Sequence, residues 1–258
     1  MPELNVLRAY DDERGNRIEY DGPEIENVKI VFTGGNNLLR VAREARLGRF
    51  VAQFNCSDGI VELGRNHGVP KFAATIRIGQ DSRVLIGDNV STTATCGISA
   101  TEGTTVSIGR DTMIATGVQL RADDGHPIFD VRSGKRANRS KDITIGEHVW
   151  LAYNSTVLGG VTIGSGSVIG FGSIVTKNVA NNAIAAGNPA KTVRRDIAWE
   201  RPHLSLVAPF YKPDASTVDR SPYWGLTEEA SQPVVTAPKR SLALRVRSRI
   251  ARAVNARS

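Results

Sequence analysis

Cysteine and long apolar runs are scarce in this chain of 258 residues, and each scarcity excludes a class of protein. The two cysteines, Cys56 and Cys96, cannot form a disulfide framework, which favours a reducing compartment. No apolar run approaches about 18 residues, so no transmembrane helix is expected. The first residues lack a basic stretch followed by an apolar one, so no secretory signal is expected either. These features predict a cytoplasmic location.

Acidic residues are absent after Glu229, and this absence decides where the net charge lies. The segment 239–258 carries seven lysines and arginines, which account for the whole formal net charge of +7. The rest of the chain is neutral, so nucleic acid is not an expected partner. The basic tail has two interpretations: an anchor to an anionic membrane on the cytoplasmic face, or a terminus that only aids solubility.

Every sixth residue across 145–175 is a large aliphatic, a period that neither an α-helix nor a flat strand produces. The residue four positions further on in each hexad is small or β-branched. If the chain turns by about 120° after each hexad, three hexads make a triangular coil with the aliphatic side chains inside and parallel strands pairing between coils. The aliphatic positions are Ile145, Leu151, Val157, Ile163, Ile169 and Val175.

The same period runs through residues 86–120 with a four-residue slip, and residues 126–144 fit no hexad. Such an insertion in a regular solenoid often holds functional residues. We therefore predict an all-β chain whose main part is a parallel β-helix (25–189) with a loop inserted at 126–144. The other four parts are an N-terminal segment (1–24), a capping helix (190–200), a proline-rich extended arm (201–238) and the basic tail (239–258). Within the tail, an apolar stripe over 240–254 suits a helix.

The hexads, the phrase VTIGSGSVIGFGSIVTKNV from Val161 and the phrase AAGNPAKTVRR from Ala185 resemble the hexapeptide-repeat acyltransferases. The resemblance is closest to maltose/galactoside-type and capsule or exopolysaccharide O-acetyltransferases. It covers 84–195 and does not reach 200–258. It implies a left-handed parallel β-helix, a homotrimer without a metal, acetyl-CoA as co-substrate in the groove between subunits, and a sugar or cell-surface polysaccharide as acceptor.

His126 stands where the coil stops and the loop begins, the place at which similar acetyltransferases have a general base. An imidazole with a pKa near ~6.5 can remove the proton of a sugar hydroxyl as it attacks a thioester. An acidic partner would orient the ring, and Asp124 is favoured for this role. Asp123 and Asp130 are predicted to bind the acceptor. For all three aspartates the alternative is a solvated turn residue.

The resemblance also implies the remaining site residues. Trp150 is expected beside the acceptor or the pantetheine arm, or else packed on the loop, and a backbone N–H near 152–154 is expected to stabilise the oxyanion. Transfer is expected to be direct, without an acyl-enzyme on Cys56 or Cys96. The predicted coenzyme contacts are Gly160, Phe171 (where relatives carry a small residue), Gly172, Thr176, Lys177, Lys191 and Arg194.

Three alternatives stay open at this point. The acceptor could be a non-glycan small molecule such as an amino acid, an antibiotic or an amino sugar. A gamma-class carbonic anhydrase would need three histidine ligands for zinc, but His67, His126 and His148 are irregularly spaced and His148 is predicted to point outward from its hexad. A non-catalytic β-helix scaffold would need neither the loop nor the NPAK segment.

Overall fold

Residues 2–225 are described by a computed structural model, in which three sheets form the sides of a β-helix. Sheet A consists of β1 (Glu3–Leu4), β4 (Val28–Phe32), β6 (Leu47–Phe54), β8 (Phe72–Ile78), β11 (Cys96–Ala100), β14 (Gln119–Arg121), β17 (Thr156–Leu158) and β20 (Ile174–Val175). Sheet B consists of β10 (Ser91–Thr92), β13 (Met113–Ile114), β16 (Trp150–Leu151), β19 (Val168–Ile169), β21 (Ile184–Gly187) and β22 (Ala190–Arg194). Sheet C consists of β2 (Tyr10–Asp11), β3 (Arg17–Glu19), β5 (Leu38–Val41), β7 (Ile60–Leu63), β9 (Arg83–Ile86), β12 (Thr105–Ile108), β15 (Ile143–Ile145) and β18 (Thr162–Ile163).

From β9 onward each coil passes from sheet C to sheet B, then to sheet A and back to sheet C. Parallel pairing places the hexad aliphatics directly above one another, and nearly all of them are fully buried. This confirms the predicted solenoid. The three columns are Ile86, Ile108, Ile145 and Ile163; Thr92, Ile114, Leu151 and Ile169; and Ile98, Leu120, Val157 and Val175.

The four-residue slip in the sequence is a difference in coil length. In sheet A, Ile98 pairs with Leu120 before the loop and Val157 pairs with Val175 after it, and the coil between the second pair is shorter by the length of the slip. The extra residues of a longer coil lie at the corner between sheets A and C, where Gly103 has a φ of 80°. We call this edge of the prism the A–C corner.

The predicted start of the β-helix and the predicted capping helix differ from the structure. The β-helix starts before residue 25, because β3 already pairs in parallel with β5. The capping helix at 190–200 is wrong: β22 is a strand that pairs antiparallel with β21. The chain reverses at Gly187, whose φ of 102° few other residues tolerate, and β22 with its β-branched Thr192 and Val193 then extends the edge of sheet B.

The segment after β22 returns to the β-helix instead of extending away from it. Residues 197–225, which we call the strap, contain two short 3₁₀ helices, Ala215–Thr217 and Pro222–Gly225. Trp199 and Tyr223 of the strap are buried against the coils. The remainder of the predicted arm (226–238) and the basic tail (239–258) lie outside the described residues. Within residues 2–225 no helix has the length and apolar character that crossing a membrane would require.

Candidate active site

The inserted loop occupies the A–C corner of one coil. It spans residues 122–142, since β14 ends at Arg121 and β15 begins at Ile143, so the predicted loop residues 143 and 144 belong to a strand. Its outer part is a hairpin in which the N–H of Ala137 donates to the carbonyl of Ile128 over 2.8 Å. The loop is therefore an ordered projection.

Asp130 forms the turn at the tip of this hairpin. Its Oδ1 accepts from the backbone N–H of Ser133 over 2.7 Å, from the Ser133 hydroxyl over 2.8 Å and from the N–H of Arg132 over 3.1 Å. These hydrogen bonds, above all those from Ser133, hold the pKa of Asp130 below its ordinary value. The contacts favour the turn interpretation of Asp130 over the predicted contact with the acceptor.

The returning side of the loop is fixed to the corner of the preceding coil. Arg136 forms an ion pair with Glu102, and Ser140 donates to the same carboxylate through its hydroxyl over 2.6 Å and its N–H over 3.2 Å. The hydrogen bond from Arg136, followed by those from Ser140, lowers the pKa of Glu102 to about 2.

Asp123 is the buried anchor at the start of the loop. Its side chain is only 4% exposed and accepts a hydrogen bond of 2.8 Å from Arg77, another from the Ser99 hydroxyl, and one of 2.9 Å from the N–H of Gly125. A carboxylate with these partners cannot face an acceptor, so the predicted acceptor role of Asp123 is wrong. It shapes the turn that comes directly before His126.

The imidazole of His126 is exposed and has no hydrogen-bond partner within residues 2–225. The backbone beside it is held by Asn138, whose Nδ2 donates to the His126 carbonyl over 2.8 Å and to Asp124 Oδ2 over 2.9 Å. Asp124 is thus tied to the His126 backbone through Asn138. Contrary to the prediction, it does not contact the His126 ring. Sequence reasoning missed Arg77 and Ser99, which lie far from His126 along the chain, and Asn138, which belongs to the same loop.

Trp150 lies on a different side of the prism from His126. It is on β16 of sheet B with 37% of its surface exposed, and sheet B faces away from the A–C corner that holds the loop. At the neighbouring corner, between sheets B and A, the rings of Tyr153 and Phe171 stack with centroids 5.2 Å apart. One chain therefore does not bring Trp150 or Phe171 to His126.

The predicted oxyanion donors lie at the B–A corner, and two of the three are already in use. The N–H of Ala152 donates to Ile169 and that of Asn154 to Thr116, both over 2.9 Å. Within the described residues the N–H of Tyr153 has no acceptor. The geometry therefore narrows the candidate to Tyr153.

The predicted coenzyme residues are divided among three places. Gly160 and the exposed Thr176 and Lys177 follow one another along the A–C corner below the loop. Phe171 and Gly172 belong to the B–A corner, and Gly172 has a φ of 64° with open space at its Cβ position. Lys191 and Arg194 are exposed on β22 at the edge of sheet B.

Gly160 also has a structural explanation. Its N–H donates to the Asp142 carbonyl over 2.8 Å, and a Cβ on the adjacent Gly159 would lie 2.8 Å from the Ala122 carbonyl oxygen and 3.0 Å from that of Lys141. Both ends of the loop therefore lie directly against these two glycines. This close contact already explains why glycine occupies both positions, without any contact with pantetheine.

The His148 side chain points outward from the coil as predicted, but it is only 2% exposed because the strap covers it. The three histidines of the carbonic anhydrase alternative are at different places: His126 on the A–C corner, His148 between sheets C and B, and His67 between β7 and β8. Among the described residues no group of three or more His, Cys, Asp or Glu side chains is placed to hold a metal ion.

Cys96 is buried within sheet A, and this burial raises the pKa of its thiol to about 12. A thiol in this state is a poor nucleophile at neutral pH. The structure therefore favours direct transfer over an acyl-enzyme on Cys96.

Stacked triangular coils with a loop-borne histidine define a protein of the hexapeptide-repeat class. The family described as bacterial transferase hexapeptide (six repeats) matches residues 142–177. WbbJ of Escherichia coli (strain K12), provisionally named a lipopolysaccharide biosynthesis O-acetyl transferase, is 31% identical over 179 residues, which cover 61% of this chain and 87% of WbbJ. The chain belongs to the hexapeptide-repeat acyltransferases, whose β-helices are left-handed.

Two further proteins are similar to parts of this chain. The polysialic acid O-acetyltransferase of Escherichia coli O1:K1 is 43% identical over 138 residues, which are 53% of this chain but only 44% of that protein. The solved structure of the polysialic acid O-acetyltransferase OatWY is 28% identical with a TM-score of 0.53, covering 69% of this chain and 94% of that one.

Proposed function

We propose that this chain transfers an acetyl group from acetyl-CoA to a hydroxyl group of a sugar or cell-surface polysaccharide. The observation that carries the proposal is the exposed imidazole of His126 on a loop anchored at both ends. An unpartnered ring on a rigid support is what a general base requires. The similarity to O-acetyltransferases supports the reaction type.

In the proposed step, His126 removes the proton of the acceptor hydroxyl as its oxygen attacks the thioester carbonyl. The resulting oxyanion accepts a hydrogen bond from the N–H of Tyr153. When the tetrahedral intermediate collapses, the carbon–sulfur bond breaks and the coenzyme leaves as a thiolate. The imidazolium of His126 then returns the proton to the sulfur, and the acetyl ester remains on the acceptor.

The proposed active enzyme is a homotrimer with sites shared between subunits. His126 lies on the A–C corner, whereas Trp150 and Tyr153 lie on sheet B and the B–A corner. A site that contains all three must therefore combine two copies of the chain. Thr176, Lys177, Lys191 and Arg194 are exposed and would contact the phosphates of the coenzyme along this boundary.

The proposed acceptor is an anionic glycan. Residues 132–141 of the loop include Arg132, Lys135, Arg136, Arg139 and Lys141 and no acidic residue. Arg136 is paired with Glu102 and Asp123 with Arg77, and the other four basic residues outnumber the remaining carboxylates of the loop, Asp124, Asp130 and Asp142, by one. Similarity to two polysialic acid O-acetyltransferases supports an acidic polymer over a neutral sugar or a non-glycan small molecule.

The test compares the wild-type enzyme with His126→Ala in an assay of CoA thiol release, using polysialic acid and a neutral glycan as acceptors. We expect His126→Ala to lower kcat by about 10²- to 10⁴-fold while the assembly state is unchanged. Turnover by this variant at the wild-type rate would refute the general-base role. A non-catalytic scaffold would show no rise in Tm with acetyl-CoA, whereas an enzyme that binds it must show one.

A further inference from the structure

The strap is attached to the β-helix by a stack of three rings. The His148 imidazole lies between Trp199 and Tyr223, with ring centroids 4.1 Å and 4.6 Å apart and interplanar angles of 14° and 2°. The Trp199 indole N–H donates to the His148 carbonyl over 3.0 Å, and Tyr223 donates to Glu147 over 2.7 Å. The two ends of the strap therefore meet on one residue of the coil.

Hydrogen bonds at both nitrogens fix the central ring. His148 Nε2 lies 2.9 Å from the Trp199 carbonyl, and Nδ1 lies 2.5 Å from Asp111 Oδ2. Burial would raise the pKa of Asp111, but hydrogen bonding to His148 and the charge of Arg201 bring it below its ordinary value, so Asp111 is a carboxylate. Both nitrogens thus lie within hydrogen-bond distance of oxygen atoms, which fixes the orientation of the ring.

Arg201, two residues after Trp199, provides a second attachment. Its Nε donates to Asp111 Oδ1 over 2.7 Å, and its terminal nitrogens donate to the Asp111 carbonyl over 2.6 Å and to the Ser91 hydroxyl over 3.0 Å. Trp199 is thereby fixed on both sides by contacts with the coils.

The Trp199 ring also lies beside Trp150, a residue of the candidate site. Its ring centroid is 6.0 Å from that of Trp150 at an angle of 46°, a separation at which aromatic rings attract one another. Trp150 is only partly covered by its own sheet, because its side chain points outward between Met113 and Val168 of the neighbouring strands. Trp199 is thus a fixed side chain that packs beside the partly exposed indole of Trp150.

We propose that Trp199 is a positioning residue that holds the Trp150 indole in the orientation needed for acyl transfer, and that the strap extends the site beyond the hexapeptide repeats. This inference rests on the proposed function, because it takes Trp150 as part of the transfer site. The strap lies outside residues 142–177, which match the hexapeptide family, so it can differ between members of that family.

A double-mutant cycle on Trp150 and Trp199 tests the proposal, with kcat and KM measured for both substrates. We expect Trp199→Ala to lower kcat/KM by about 10- to 100-fold, and Trp199→Phe to recover most of this because it keeps a ring against Trp150. In the Trp150→Ala background, Trp199→Ala should cause less than about a twofold further loss, since it acts through Trp150.

Arg201→Gln gives a second variant should Trp199→Ala fail to fold. It should change kcat/KM in the same direction, again without effect in the Trp150→Ala background. Tyr211→Ala is the matched control, because Tyr211 is an aromatic residue of the strap that is 90% exposed, and its kcat/KM should equal that of the wild type.

The outcomes separate this inference from the proposed function. The inference is refuted, and the proposed function is not, by either of two results. In the first, Trp150→Ala impairs transfer while Trp199→Ala leaves kcat/KM within twofold of wild type. In the second, the losses of the two single variants multiply in the double variant, so Trp199 does not act through Trp150. If Trp150→Ala has no effect, the assumed role of Trp150 fails and the inference fails with it. Wild-type turnover by His126→Ala refutes the general base independently of either result.

Discussion

Replacing Asp123 by Asn should destabilise the enzyme and impair catalysis, although Asp123 touches no substrate. The amide keeps the size of the side chain but loses the charge that faces Arg77, and its NH₂ group would face the donors of Ser99 or Gly125. Because these donors fix the turn before His126, the loop should lose its position at the residue proposed as general base.

The magnitude follows from the burial of the two partners. Breaking a fully buried ion pair by removing one partner costs about 3–5 kcal/mol. Arg77 is 37% exposed, so water can solvate its guanidinium after the change, and we scale the cost to about 1–3 kcal/mol. For a chain of this size that corresponds to a decrease in Tm of about 2–12 °C.

The assay pairs thermal unfolding with steady-state kinetics for Asp123→Asn and Asp124→Asn. Asp124 is exposed, and among residues 2–225 its side chain is hydrogen-bonded to Asn138 alone, so its variant should keep its stability within about 0.5 kcal/mol. Asp123→Asn should lower kcat more than it raises KM. If Asp124→Asn instead abolished turnover at unchanged Tm while Asp123→Asn was active, Asp124 would be the orienting partner of His126 and the buried-anchor explanation would be refuted.

Two further predictions concern the support of the loop. Gly159→Ala should lower the free energy of unfolding by about 1–3 kcal/mol and also lower kcat, because its Cβ would lie 2.8 Å from the Ala122 carbonyl oxygen. Gly68→Ala is the control: Gly68 has a φ of 71° and open space at its Cβ position, so this variant should lose about 1 kcal/mol of stability with kcat unchanged. Equal kcat values for both would contradict the close-approach explanation. Glu102 has a pKa of about 2 in the folded chain against an ordinary 4.5, so its stabilising contribution is complete above about pH 4.5 and is lost as the pH falls to about 2. Glu102→Gln should therefore flatten the pH dependence of stability in that window and speed proteolysis of the loop at pH 7; an unchanged pH slope would show that the Arg136 contact does not stabilise the fold.

The repeat made it possible to predict which side chains fill the inside of the solenoid. It did not predict which of the outward side chains are buried. Ile145 and its hexad partners occupy one environment in every coil, so their period alone reveals the stack. His148 and Trp150 are outward positions, and whether such a residue is buried depends on the strap, which follows no repeat. Arg77 and Asp123 are 46 positions apart, and only the registers of β8 against β11 and of β11 against β14 bring them together. The change of coil length was visible in the sequence as a slip in the six-residue period, but the period did not show at which corner of the prism the extra residues lie.

The position of that change alters the A–C corner below His126. Before the loop, the longer coils carry their extra residues at the A–C corner, and these project outward as they do at Glu102 and Gly103. After the loop, the corner shrinks to Gly159 and Gly160, and in the next coil to a short turn at Thr176 and Lys177. A longer coil at that level would place a projecting corner directly under the loop. The shorter coils lack this projection, which is consistent with our proposal that the coenzyme lies along this corner.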